Sequence, residues 1–345
     1  MDGARTLSQR LEDLPLVDDV VPVDWKADLV ASSRHLFATA PSSILRTKDN
    51  GILIYCNNDV RTLAANPDVG NAPTEVLSVR AFRRVLAAGG LARDHERGYD
   101  WILRNQVFTT NPPLHGPTRR LLSRQLVPPR NVQRFAPLAD RLVADLVQEG
   151  AEQGEIEFGR DFAEELTARF WASVLGLSPH ESQAAKTLMA EMRPIFLMIR
   201  SPEEARAVDE AAGQYMDVVG GAIDRNVRCE NNELLLEMDA ELRQVDIDDK
   251  PPSIGQMLAA NRDPHVFEEP DTYRLNRQQA GTTTFGWGAH ICPGRNITRL
   301  LAESALTGTN GPNVHMSLTQ DSYNWVPYNT MRQLSEFGVR ITLTR

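Results

Sequence analysis

Cysteine is scarce in this chain: three in 345 residues, at Cys56, Cys229 and Cys292. The count is odd, and no two of them share a C-x-x-C spacing. That argues against a disulfide scaffold and for a reducing compartment. H-E-x-x-H is absent too, so neither common zinc pattern is supported. No run of eighteen apolar residues occurs, and the N-terminal MDGARTLSQRLEDLPLVDDVV lacks the apolar centre of a signal peptide. The expectation is a cytoplasmic protein with no membrane anchor. An excess of basic residues is also missing. The formal net charge is −9 and the pI about 5.4, which argues against nucleic acid as a partner. No internal repeat or low-complexity tract is found.

What is present is 41% apolar residues, enough to bury a sizeable core in one large domain or two ordinary ones. The most informative stretch is Thr284-Phe285-Gly286-Trp287-Gly288-Ala289-His290-Ile291-Cys292-Pro293-Gly294-Arg295. Apolar residues then recur at Ile297, Leu300, Leu301 and Ala305, one face of a helix. Cys292 is therefore expected in a tight loop just before a helix N-terminus, where orphan N–H groups favour a thiolate. Gly286, Gly288 and Gly294 let a flat ligand approach the backbone closely. A thiolate so placed is a soft metal ligand.

This stretch resembles the cysteine-ligand loop of the cytochrome P450 family, F-G-x-G-x-H-x-C-x-G, at every specified position. The resemblance implies haem b as cofactor and Cys292 as the axial ligand of its iron. It also implies that His290 lies near a propionate and that Phe285 shields the thiolate. Reading Cys292 as a structural cysteine in a glycine-rich turn leaves the Phe, the glycines and the His unexplained.

Two further segments carry the same resemblance. Asn111-Pro-Pro-Leu-His115-Gly-Pro-Thr-Arg119 opens a helix whose apolar stripe is Leu121, Leu122 and Leu126. His115 and Arg119 are four apart, so they share a helix face and can grip a carboxylate. The other reading is a solvated basic face. The segment resembles the family's P-P-x-H-x-x-x-R, which implies propionate binding by His115 and Arg119. Ala259-Ala260-Asn261-Arg262-Asp263-Pro264 to Phe267 and Pro270 resembles A-N-R-D-P-x-x-F-x-x-P, and its prolines predict a winding path.

The stretch 227–254 is where the family places a long helix with A-G-x-x-T and a helix with E-x-x-R. Neither pattern is found there. Ala280-Gly281-Thr282-Thr283-Thr284 matches A-G-x-x-T in letters, but it abuts the cysteine loop, where no long helix fits. A charged surface loop, Glu237 to Lys250, is expected instead. A lost internal segment, a degenerate relative and a shortened variant with another role all explain the gap. No residue can be assigned to deliver protons to bound oxygen.

Elsewhere, residues 1–50 read as mixed helix and loop, and 51–56 as a strand ending in a turn at Asn57-Asn58-Asp59. A short helix is expected over 61–65. Residues 85–110 form an irregular connection. Helices are expected over 135–149, closed by Gly150, and over 161–175, with Ala163, Leu166, Phe170 and Val174 inward and Gly176 as the stop. Ser178 and Glu181 should form a capping box. Pro194 to Ile199 is either a roof over a substrate or an ordinary buried helix end. An Ala-rich helix, interrupted by Gly213, Gly220 and Gly221, is expected over 203–227. The chain should close with two strands, 314–318 and 339–343.

The expected fold is mainly α with a small β part: a cytochrome P450-like fold, internally shortened. Residues 1–345 form one domain, with 1–30 an N-terminal extension and 227–254 a shortened junction. The resemblance implies a haem-thiolate monooxygenase that acts on a small hydrophobic substrate with a ferredoxin-type electron donor. The alternative is a non-catalytic haem-binding remnant.

Overall fold

The computed structural model describes residues 13–20, 29–47, 51–67, 69, 98, 107, 110–111, 115–196, 201–229, 232, 234–236, 257–278, 280–321, 325–326, 333–334 and 336–344. The chain divides into two compact units, each assembled from two separate pieces of sequence. The first takes Met1–Ala72 and Pro251–Cys292, and the second Pro73–Lys250 and Pro293–Arg345.

In the first unit, helix α1 (Leu29–Thr39) packs beside a hairpin of β1 (Ile44–Arg46) and β2 (Ile52–Ile54), paired antiparallel with Leu45 opposite Leu53. The core is Val17, Leu36, Leu45, Tyr55 and Ala259. Phe37 and Tyr55 meet edge to face with ring centroids 5.2 Å apart. Helix α2 runs Asn57–Ala65, so it starts four residues before the expected position. The turn read at Asn57-Asn58-Asp59 is its first turn. The reason is a cap from far along the chain: the Asn57 N–H donates to Asp263 Oδ2 at 2.9 Å. That bond satisfies a donor the helix start would otherwise leave unpaired. Among the described residues from Asn261 to Thr283 the path is turns and bends, without helix, as the prolines predicted.

The second unit contains α3 (His115–Leu126), α4 (Ala136–Gln153), α5 (Glu165–Leu175), α6 (Pro179–Glu191), α7 (Pro202–Arg228) and α8 (Arg295–Thr309). A three-stranded antiparallel sheet has the order β3 (Glu155–Glu157), β5 (Gly338–Leu343), β4 (Val314–Leu318). The core joins Leu142, Val143 and Leu146 of α4 to Phe170 of α5, Ile297 and Leu301 of α8, and Ile341 of β5. The stripe after the cysteine loop is thus buried as expected, and the two C-terminal strands pair.

Three expectations are corrected. Gly150 does not close α4. The helix continues to Gln153 and stops at Gly154, φ +79. Gly150 is instead a close-approach position, where a Cβ would lie 2.8 Å from Ile341 Cδ1. Ala163 does not face inward: it is exposed, and Phe162 is buried at 1%. Residues Phe158–Glu164 form a π-helical segment ahead of α5, and its wider turn shifts the register. The glycines of α7 do not interrupt it; it is continuous over 27 residues. Strand β3 pairs with β5 across the chain, a pairing with no local signal.

Ser178 and Glu181 form the expected capping box. Of the apolar run 194–199, only the single turn ending at Phe196 is described; the rest lies outside the described residues, as do the charged stretch 237–250 and most of 85–110. Between Cys229 and Met257, Asn232 and a helical turn over 234–236 are described, and Leu234 is buried in the core of the second unit.

Candidate functional site

The cysteine loop is built from its base upward. Thr283 is fully buried, and both its N–H and its Oγ1 donate to Asn261 Oδ1, at 2.6 and 3.0 Å. Asn261 Nδ2 donates in turn to Thr284 Oγ1 at 3.3 Å. The Gly286 N–H reaches Thr283 O at 2.9 Å, and the Cys292 N–H closes the loop onto Phe285 O at 2.7 Å. Between them Gly288–His290 makes one 3₁₀ turn. Gly286 has φ +77 and Gly288 φ +65, backbone angles that side-chain-bearing residues resist. Cys292, Phe285 and His290 are half-buried, and none of the three cysteines is in a disulfide.

Helix α2 of the same unit supports this loop. Asn57 Nδ2 donates to Ala260 O at 3.0 Å and to Gly281 O at 2.9 Å. The Arg61 guanidinium lies over the Trp287 ring, 4.1 Å from its centroid. Gly288 packs so tightly on Ala64 that a Cβ would come 1.9 Å from its carbonyl oxygen. Sequence reasoning gave no supporting role to Asn57, Arg61 or Trp287, although Trp287 lies inside the cysteine motif and Asn57 was read as part of a turn. Asn261 and Asp263 lay in a segment it had quoted, but without a role.

Of the expected site residues, Phe285, Gly286, Gly288, His290 and Cys292 come together in the first unit. Gly294, at the N-cap of α8, and the pair on α3 belong to the second. His115 and Arg119 lie one turn apart on α3. His115 is buried at 4% exposure and Arg119 is half-buried, while the adjacent Arg120 is exposed. A buried His115 disagrees with the alternative of a solvated basic face. The second unit also encloses a groove of about 1830 Å³, lined among others by Phe158, Trp171, Met189, Tyr215 and Phe337. None of the expected site residues lines it. Among the described residues no group of three His, Cys, Asp or Glu side chains could hold a metal ion by itself. No helix there is long and apolar enough to cross a membrane.

No protein-family model matches the sequence. A biotin biosynthesis cytochrome P450 of Bacillus subtilis (strain 168) is 26% identical over 173 residues, 48% of this chain and 41% of that protein. The chain thus matches well under half the length of this relative. Cytochrome P450 105C1 of a Streptomyces species is 40% identical over 73 residues, 20% of this chain and 19% of that one. Among solved structures, CalO2 superimposes with a TM-score of 0.72 at 18% identity, covering 93% of this chain and 98% of the other. The fold is that of a cytochrome P450. The sequence relatives named above are cytochromes P450, as the motifs implied, and both are bacterial.

That fold implies a haem, and the cysteine loop fits one. It offers a single sulfur donor, that of the half-buried Cys292, at the end of a closed turn. Two positive-φ glycines keep side chains off that turn. A haem iron needs one protein thiolate rather than a cluster.

Proposed function

We propose that this protein is a haem-thiolate monooxygenase with haem b as its cofactor. The observation that carries the reading is the closed Phe285–Cys292 turn, which ends in one half-buried cysteine on a glycine-built loop. Cys292 would be the iron ligand. Phe285, whose carbonyl accepts the Cys292 N–H, would cover the sulfur and limit water at it. Gly286, Gly288 and Gly294 would leave room for the flat face of the ring. His290, His115 and Arg119 would hold propionates, His115 from a buried site where a charge-assisted bond is stronger than in water. When bound, haem supplies the binding and two-electron activation of dioxygen that lets one oxygen atom enter an organic substrate.

The substrate would be small and hydrophobic, the electron donor of ferredoxin type, and the location the cytoplasm. All 345 residues would serve one domain, with 1–30 as an extension and 227–254 as a shortened junction. A second reading, a haem-binding remnant without turnover, is favoured by the lack of A-G-x-x-T and E-x-x-R in 227–254.

The carbon monoxide difference spectrum of the reduced, haem-supplemented protein tests the proposal. A strongly red-shifted Soret band that Cys292→Ser abolishes is the expected result. No haem uptake, or a band of nitrogen-ligated haem, would sink it. If the band forms, NADH oxidation with a surrogate reductase and labelled dioxygen separates the two readings. Labelled product supports the enzyme, and its absence over a panel of apolar substrates supports the remnant.

A further inference from the structure

One face of α2 follows the cysteine loop contact by contact. Asn57, Arg61 and Ala64 recur at helical spacing and so share that face. Asn57 binds the carbonyl of Gly281 ahead of the loop. Arg61 covers Trp287 at its middle. Ala64 presents its carbonyl to Gly288, one residue further. Trp287 sits between the two positive-φ glycines, where the backbone has the most freedom to rearrange. Arg61 is half-buried, and its Nε is buried with no hydrogen-bond partner among the described residues. An N–H desolvated in that way is costly, and the aromatic face over which the guanidinium lies offsets part of that cost.

We infer that Arg61 is a positioning residue of the cysteine loop: by clamping Trp287 against α2 it fixes the turn that presents Cys292. Asn261 secures the base of the loop and Arg61 its tip. The inference rests on the reading of Cys292 as a haem ligand for its purpose, though not for its geometry.

The test uses the full chain with Cys229→Ser, which removes the exposed thiol. Burial, followed by the nearby Asp263 and Asp59, pushes the Cys56 thiol up to about 11, so it stays protonated and slow to alkylate at pH 8. Iodoacetamide labelling of Cys292 in the haem-free protein is followed by peptide mass analysis. Arg61→Met should raise the rate about fivefold, the factor expected from losing one cation–π contact. Trp287→Leu should do the same, and the double variant no more than either. Arg61→Lys should fall between. After haem loading, Arg61→Met should cut the share of the red-shifted carbon monoxide form at least to about half.

A labelling rate and spectrum in Arg61→Met equal to those of the parent, with an unchanged melting temperature, would overturn the inference. If Arg61→Met does not fold, Arg61→Lys decides. It keeps the charge and loses the planar stack, and an unaltered rate there rejects the clamp. A labelling contrast without haem uptake in the parent protein would support the clamp and reject the haem reading alone.

Discussion

At Gly288 the backbone is at φ +65, and a Cβ would meet the Ala64 carbonyl oxygen at 1.9 Å. Neither partner is the movable end of a side chain, so the strain cannot be relieved cheaply. Gly288→Ala should lower the unfolding free energy by roughly 2–4 kcal/mol, combining left-handed strain with forced backbone shifts. Urea unfolding of the haem-free protein measures this. Gly311→Ala is the control, since a Cβ there meets only ordinary contacts at 3.5 and 3.6 Å, and it should leave the midpoint in place. The same residue-scale logic explains why Cys292 could be proposed from sequence and the Arg61 contact could not. The cysteine, its glycines and its histidine occupy one contiguous stretch, and their spacing is the signal. Arg61 acquires its role from a tryptophan far along the chain, and nothing in its own neighbourhood announces that.

Among the elements, α7 gives the opposite glycine result. Gly220 and Gly221 lie inside the helix, and a Cβ at either position would meet nothing within 4 Å. Each change to Ala should therefore raise stability by about 0.5–1 kcal/mol through lost chain entropy in the unfolded state, read as a higher urea midpoint. Ser178→Ala should act in the other direction, costing about 1 kcal/mol, because it opens the capping box at α6. That box was legible because its donors and acceptors are within four residues. The stripe Ile297, Leu300, Leu301 was legible because one helix period describes it. The register at Phe162 was not, since a π turn obeys a different period. The start of α2 was not, since its cap, Asp263, is 206 residues from Asn57 in sequence. Local patterns carried the helices, and long-range pairings carried what was missed: β3 against β5, and α2 against the cysteine loop.

On the scale of the whole molecule, acid should be the main destabilising condition. The Arg225 guanidinium, helped by Ser178, holds Glu181 down at about 2. Arg169 holds Glu149, and Arg160 holds Asp161, below the usual carboxylate range. A carboxylate with a depressed folded-state pKa contributes stability that is complete above its unfolded value of about 4 and disappears as pH falls through the folded value. The urea midpoint should thus stay level from pH 7 to about 5 and fall between about 4 and 2. Glu181→Gln should flatten the lower part of that fall. The effect will be modest for this one pair, because it is largely open to solvent and screened by salt. A midpoint that rises below pH 4 would contradict the assignment.

The pairing of β3 with β5 also sets a timetable for synthesis. The Phe337 N–H reaches Glu157 Oε1 across 180 residues of chain. A ribosome adding about 5–20 residues per second needs roughly 10–40 s to cover that distance. Until then Ile156, and the face of α4 that Gly150 opens to Ile341, have no partner strand. Nascent chains would pass that interval with an open strand edge, the feature on which other chains can add. Yield of folded protein should therefore depend on chaperone supply and on slow, cool expression.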